Sequence, residues 1–188
     1  RNAEWAGEFK TAAYDLAYKY LEEWISWQIF TRPQVARMKE VELVSELLIL
    51  CETGLRGKSQ PAIDATYRQF DETWPNANKV ISRATTTMDE IVAIGSLLPG
   101  GLSGTPFNSQ SWFYALFAMI HGALYPSPIK RGPDKPHSIK RGAFRDLLVK
   151  RAATIDARQL SEDLVKALRG AATDRSSREI RLDFLLHG

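Results

Sequence analysis

Large apolar side chains recur along this chain at steps of three and four, the spacing that lines one face of an α-helix. No segment shows the sustained alternation of apolar and polar residues that a half-buried strand requires. The pattern therefore predicts an all-α fold, an irregular bundle of about seven helices. The first predicted helix runs from about Ala3 to Trp27 and places Trp5, Phe9, Ala13, Leu16, Tyr20, Trp24 and Trp27 on one stripe. The second runs from Thr31 to Gly54. Thr31 suits its N-cap, Pro33 its first turn, where a missing amide hydrogen costs nothing, and Gly54 its C-terminal stop. Its last turns, Val44 to Cys51, are apolar on nearly every side and belong to a core. A short helix follows Ser59 with Pro61, Ile63, Tyr67 and Phe70 and ends near Trp74 and Pro75, and a fourth carries Ile81, Ala84, Met88, Ile91, Gly95 and Leu98.

Glycines and prolines from Leu97 to Asn108 predict a loop, after which Ser109 caps a helix with no charged residue as far as Leu124. Phe113, Leu116, Phe117, Ile120 and Leu124 form one stripe of this helix, and Trp112, Ala115 and Met119 its flank, so it is expected at the centre of the fold, buried on most sides. Pro126 to His137 reads as a basic linker. Helices resume near Ser138 with Phe144, Leu147, Leu148 and Ile155, continue through Leu160, Leu164 and Leu168, and close with Ser176 to His187. We expect one helical domain over residues 1–188.

Composition narrows the class. At 188 residues, 44% hydrophobic and 25% charged, the chain has the makings of a real core rather than of a disordered segment. The longest charge-free helical stretch, Ser109 to Leu124, falls short of the ~20 residues a membrane span needs. The N-terminus has no cationic stretch leading into an apolar one, so we expect a soluble, cytoplasmic protein with no membrane partner. The lone Cys51, inside Leu47-Leu48-Ile49-Leu50-Cys51, has the setting of a small buried hydrophobe. Helix-forming sequence runs directly from Arg1, which reads as part of a longer or processed polypeptide.

Candidate chemistry is sparse. Gly57-Lys58-Ser59 resembles the end of a phosphate-binding loop, but the glycine required five residues earlier is Glu52, and the loop follows a helix instead of a strand. A turn before a capped helix is the better reading. His121, His137 and His187 are not spaced as helical metal ligands, and His121 sits where a hydrogen-bonded core histidine is expected. The carboxylate clusters, among them Glu40, Glu42 and Glu46, read as solvated helix faces, because most have a cation three or four residues away. The sequence thus predicts no catalytic residue, no metal site and no cofactor in this chain. Charge says more. Between Pro126 and Arg151, eight Lys and Arg residues stand against two Asp, whereas the whole chain has a net charge of only +3. A basic segment on a mildly acidic remainder suits a phosphate backbone, with Lys130, Arg131, Lys140, Arg141 and Arg145 as candidate DNA contacts. Arg169, Arg175, Arg178 and Arg181 extend that patch if the fold brings them near.

The first fifty residues also carry a resemblance. Arg1-Asn2-Ala3-Glu4, Gly7-Glu8-Phe9-Lys10, Ile29-Phe30-Thr31 and Arg37-Met38-Lys39-Glu40-Val41-Glu42-Leu43 are similar to the middle of the bacterial GmrSD-type family, the domain of unknown function numbered two-six-two. Ser111 to Phe117 and Thr173 to Arg181 fit that family's helical tail more loosely. The resemblance implies the helical second half of a larger unit that restricts modified phage DNA. It further implies a missing N-terminal half with an Asp-Gly-Gln-Gln-Arg motif, tied to a nucleoside triphosphate with Mg in the full-length protein, and in many members a C-terminal HNH nuclease. Neither motif occurs here, so no catalytic residue carries over. On this view Arg37, Glu40 and Glu42 pack toward the missing half and the basic stretch meets DNA. The alternative is a helical scaffold that binds protein, with Trp5, Trp24 and Trp27 as interface anchors.

Overall fold

A computed structural model describes residues 7–58, 60–129, 134–169 and 173–188. Among them are ten α-helices and no strand, so the architecture is all-α. The charge-free segment forms α7 (Gln110–Leu124) and buries eleven of its side chains, as its composition predicts. Three helices pack around it: α4 (Lys39–Thr53), α6 (Ala77–Gly95) and α10 (Arg175–His187). Outside these, α1 (Glu8–Lys19) lies on α4 and α6, α8 (Arg141–Asp156) on α6 and α10, and α9 (Glu162–Arg169) on α10. Also present are α2 (Leu21–Ser26), α3 (Arg32–Val35) and α5 (Gln60–Gln69). α5 buries only Ile63.

Two helices that the periodicity predicts as continuous are broken. The stripe from Phe9 to Trp27 divides at Tyr20, whose backbone leaves the helical region (φ −108°, ψ 26°). Its hydroxyl donates to Asp89 Oδ1 (2.5 Å) with the Thr85 carbonyl 3.1 Å away on α6, and the indole of Trp24 turns back to donate to the Ala17 carbonyl at 3.0 Å. Both fragments keep apolar residues three and four apart, so the spacing hides the break. Thr31 to Gly54 divides likewise. Thr31 and Gln34 form a capping box on the four-residue α3, and Met38 then takes a left-handed conformation (φ 57°) before α4 begins. A continuous helix there is corrected to a helix, a corner and a second helix. Gly54 ends α4 at φ 83°, as its place in the sequence predicts. Trp24 and Trp27 are buried in the core, against their use as interface anchors, and Trp5 lies outside the described residues.

The loop after α6 is shaped by close packing on Trp27. Gly101 sits at φ 68°, and a β-carbon there would lie 2.6 Å from the Trp27 indole nitrogen, so both the backbone and the space require glycine. Among the described residues no helix is long and apolar enough to cross a membrane.

Candidate functional site

The basic segment is tied to α6 by two ion pairs of opposite sense. Arg83, buried on α6, donates to both oxygens of Asp134 at 2.6 and 2.7 Å and to the Ser127 carbonyl at 3.1 Å. Its guanidinium also lies 4.7 Å from the centre of the Tyr125 ring. Seven residues further along each element, Arg141 donates to both oxygens of Glu90 at 2.7 and 2.8 Å. Such bidentate pairs fix orientation as well as charge. The Arg83 hydrogen bonds hold the Asp134 carboxyl below the usual carboxylate range, and those of Arg141 do the same for Glu90. The His137 amide donates to the Leu124 carbonyl at 2.8 Å, which completes the attachment of the stretch before α8.

These contacts sort the candidate DNA residues. Lys130 and Arg131 lie outside the described residues. Lys140, at the N-cap of α8, is exposed, and Arg141 is committed to Glu90. Arg145 is partly buried and lies 2.7 Å from the exposed Asp146. Arg151 is buried, donates to the Leu185 carbonyl and faces the Phe184 ring. The exposed cations of this segment that form no ion pair with a described carboxylate are therefore Lys135, Lys140 and Lys150.

Arg178 and Arg181 do not extend this set; both are buried in α10. Arg178 lies 3.7 Å from the centre of the Tyr114 ring, donates to the Arg56 carbonyl at 2.9 Å and pairs with Glu46 of α4. Arg181 donates to the carbonyls of Ser177 and Ala167 at 3.2 and 2.6 Å, and burial draws its pKa down. Arg175 is exposed and paired with Glu179, while Arg169 ends α9.

Around the buried Arg178–Glu46 pair the structure assembles an ionic cluster that reaches the surface at Lys39 and that the sequence does not announce. Lys58 reaches Glu46 at 2.9 Å and Glu42 at 3.0 Å, and Lys39 pairs with Glu42 at 2.8 Å. Burial works against the Lys58 charge, but the two carboxylates outweigh it and hold its pKa above the ordinary value. Glu42 is lowered in turn, burial being overcome by hydrogen bonds from Lys39 and Lys58. A solvated face is thus corrected for this carboxylate group: Glu40 and Glu46 are both buried. Lys58, read as part of a turn, is also a clamp, its amide donating to the Thr173 carbonyl at 2.8 Å. Ser59 lies outside the described residues. Beside the cluster, α4, α5 and the loop between them enclose a cleft of about 120 Å³ with Ile49, Ile63 and Phe70 in its lining and Arg56 among its polar residues.

At the α3–α4 corner, the three residues expected to face a missing half have three different settings. Arg37 is exposed, Glu42 belongs to the ionic cluster, and Glu40 is buried with Oε2 unsatisfied among the described residues. Burial raises the Glu40 pKa. Next to this corner α2 and α3 form an open apolar groove of about 590 Å³, lined by Leu21, Ile25, Val35 and Ala36 with Glu22 and Arg32.

His121 is buried between the rings of Phe117 and Tyr125 as a core histidine, but its Nε2 has no hydrogen-bond partner among the described residues, against the hydrogen-bonded setting expected for it. Burial, reinforced by the Arg83 guanidinium, lowers its pKa from 6.5 to about 4. A histidine held neutral in the fold but free to take a proton when unfolded stabilises fully above about pH 6.5, and that contribution is lost as pH falls toward 4. The loss amounts to at most about 3 kcal/mol. Denaturant unfolding at pH 7 and pH 4 should show this fall, and His121→Phe should remove most of it; an unchanged slope in the variant would contradict the assignment. Cys51 is buried as expected, and burial pushes its thiol far above the ordinary range.

Among the described residues no group of three or more His, Cys, Asp or Glu side chains is arranged to hold a metal ion. The chain matches no protein-family model, no curated protein and no solved structure.

Proposed function

We propose that this chain is the helical part of a modification-dependent defence protein of the GmrSD type, supporting a nucleotide-binding half and contacting DNA through the segment that leads into α8. The observation that carries the DNA contact is the set of exposed lysines, Lys135 and Lys140 on the segment anchored by the Arg83–Asp134 and Arg141–Glu90 pairs and Lys150 on α8 itself. Cations without carboxylate partners are free to replace counterions on phosphates, and a fastened segment presents them with little further loss of chain entropy. The α3–α4 corner, with exposed Arg37 beside the apolar groove, supplies a seam for the other half.

Changing Lys135, Lys140 and Lys150 to Glu together leaves both anchoring pairs intact. In the polypeptide that carries this chain, the triple variant should bind duplex DNA at least tenfold more weakly. With one phosphate per lysine, the slope of log affinity against log salt should flatten by about 2.7. Unchanged affinity and slope would reject the DNA contact. The second reading, a protein-binding scaffold, is favoured by the α2–α3 groove, and it predicts no salt-sensitive retention on DNA for the parent chain either.

A further inference from the structure

On the far side of α8 from its N-terminus, the C-terminal helices enclose a second open groove, of about 520 Å³, between the end of α8, α9 and α10. Its floor is apolar, made by Leu164, Ile180 and Phe184, and its rim carries Asp163, Glu179 and Asp183. No Lys or Arg is among the described residues that line it, although the chain as a whole has a net charge of +3. The rim carboxylates are accessible, at 80%, 52% and 76% side-chain exposure for Asp163, Glu179 and Asp183. Their contacts with Lys166 (3.7 Å), Arg175 (2.8 Å) and His187 (3.9 Å) are surface contacts of the kind that contributes little and exchanges readily.

We propose that this groove seats a basic amphipathic segment of a partner protein, its apolar side chains at helical spacing on Leu164, Ile180 and Phe184 and its flanking Lys or Arg side chains on the three carboxylates. Charge complementarity selects this occupant. The rim repels nucleic-acid phosphates, and the apolar floor rewards side chains that DNA does not offer. A second copy is a poor fit. It carries Lys140 and Lys150 on α8, but Phe144, Leu147, Leu148 and Ile155 of that helix pack against its own core. The inference is independent of the DNA reading, since it concerns different residues of opposite charge.

The test uses a fluorescent 18-residue Leu/Lys amphipathic peptide, a Ser/Lys peptide of equal charge and a Leu/Glu peptide of equal apolarity. The Leu/Lys peptide should bind the whole chain one to one, at least tenfold more tightly than either control. Asp163→Asn, Glu179→Gln and Asp183→Asn together should weaken it at least tenfold, whereas Asp15→Asn with Glu72→Gln, on other surfaces, should leave it unchanged. Asp163→Lys with Asp183→Lys should transfer the preference to the Leu/Glu peptide, a gain that a merely misfolded variant does not show. Equal binding of the Ser/Lys peptide, or indifference to the rim substitutions, would overturn the proposal. So would a dimer of the free chain that the rim substitutions dissolve.

Discussion

Glu46→Ala should destabilise the protein by about 3–5 kcal/mol, because it leaves the buried Arg178 guanidinium without its carboxylate. Glu46 and Arg178 side chains are 5% and 6% exposed, so water entering from the adjoining cleft, which both residues line, replaces only part of the lost interaction. Lys58 loses one of its two carboxylates in the same change and keeps only Glu42. The Tyr114 ring and the Arg56 carbonyl stay in contact with Arg178, but neither carries the opposing charge. Urea unfolding of the variant measures the effect. Removing both charges, as Glu46→Leu with Arg178→Met, should recover most of the loss, because the cost lies in the stranded charge more than in the pair itself. A single variant with near-parental stability would show that α10 is not held to α4 by this cluster.

Phe113→Ala should cost a similar amount, about 3–5 kcal/mol, through a cavity at the centre of the bundle. Phe113 is fully buried on α7. Its ring meets Trp24 edge-on at 5.1 Å between centroids and Trp27 at 6.4 Å, so it joins α7 to the α2 segment. Trp24 and Trp27 border the gap, so their fluorescence should change as the Phe113 ring contacts are lost. A loss below ~1 kcal/mol would mean that the surrounding helices collapse onto the gap, because the cost rises with the volume that stays empty.

These two sites differ in how far the sequence reveals them. Phe113 lies in a stretch without a single charge from Ser109 to Leu124, and such a helix has no solvated face to offer, so its central place is legible from composition alone. Glu46 carries no comparable signal. Its neighbours Glu40 and Glu42 make it look like part of a charged helix surface, yet its partner Arg178 is 132 residues away along the chain. The basic segment is intermediate. Its excess of Lys and Arg is plain in the sequence, but which of them stay free depends on Asp134 and Glu90, and Arg151 is withdrawn into the core altogether. The acid-rimmed groove escapes notice for the same reason, because Asp163 belongs to α9 and Glu179 and Asp183 to α10.

Helix breaks follow the same division. Gly54 marks its stop openly, since glycine at φ 83° is a local preference. Tyr20 and Met38 do not, because neither residue type favours a break and the apolar spacing continues across both. Tyr20 leaves the helix while its hydroxyl is held by Asp89 on α6, a contact that exists only once the helices pack.

By itself the sequence determined the helical class, the central helix, the burial of Cys51 and the location of the excess positive charge. Each is set by composition and spacing within a few turns, where hydrophobic burial and local backbone preference act. The tertiary structure alone decided which charges are free and which are buried in pairs, where two long helices bend into corners, and that exposed lysines and an acid-rimmed groove lie on one small bundle. Those outcomes depend on side chains from distant segments meeting at hydrogen-bond distance, and no local pattern along the chain encodes such meetings.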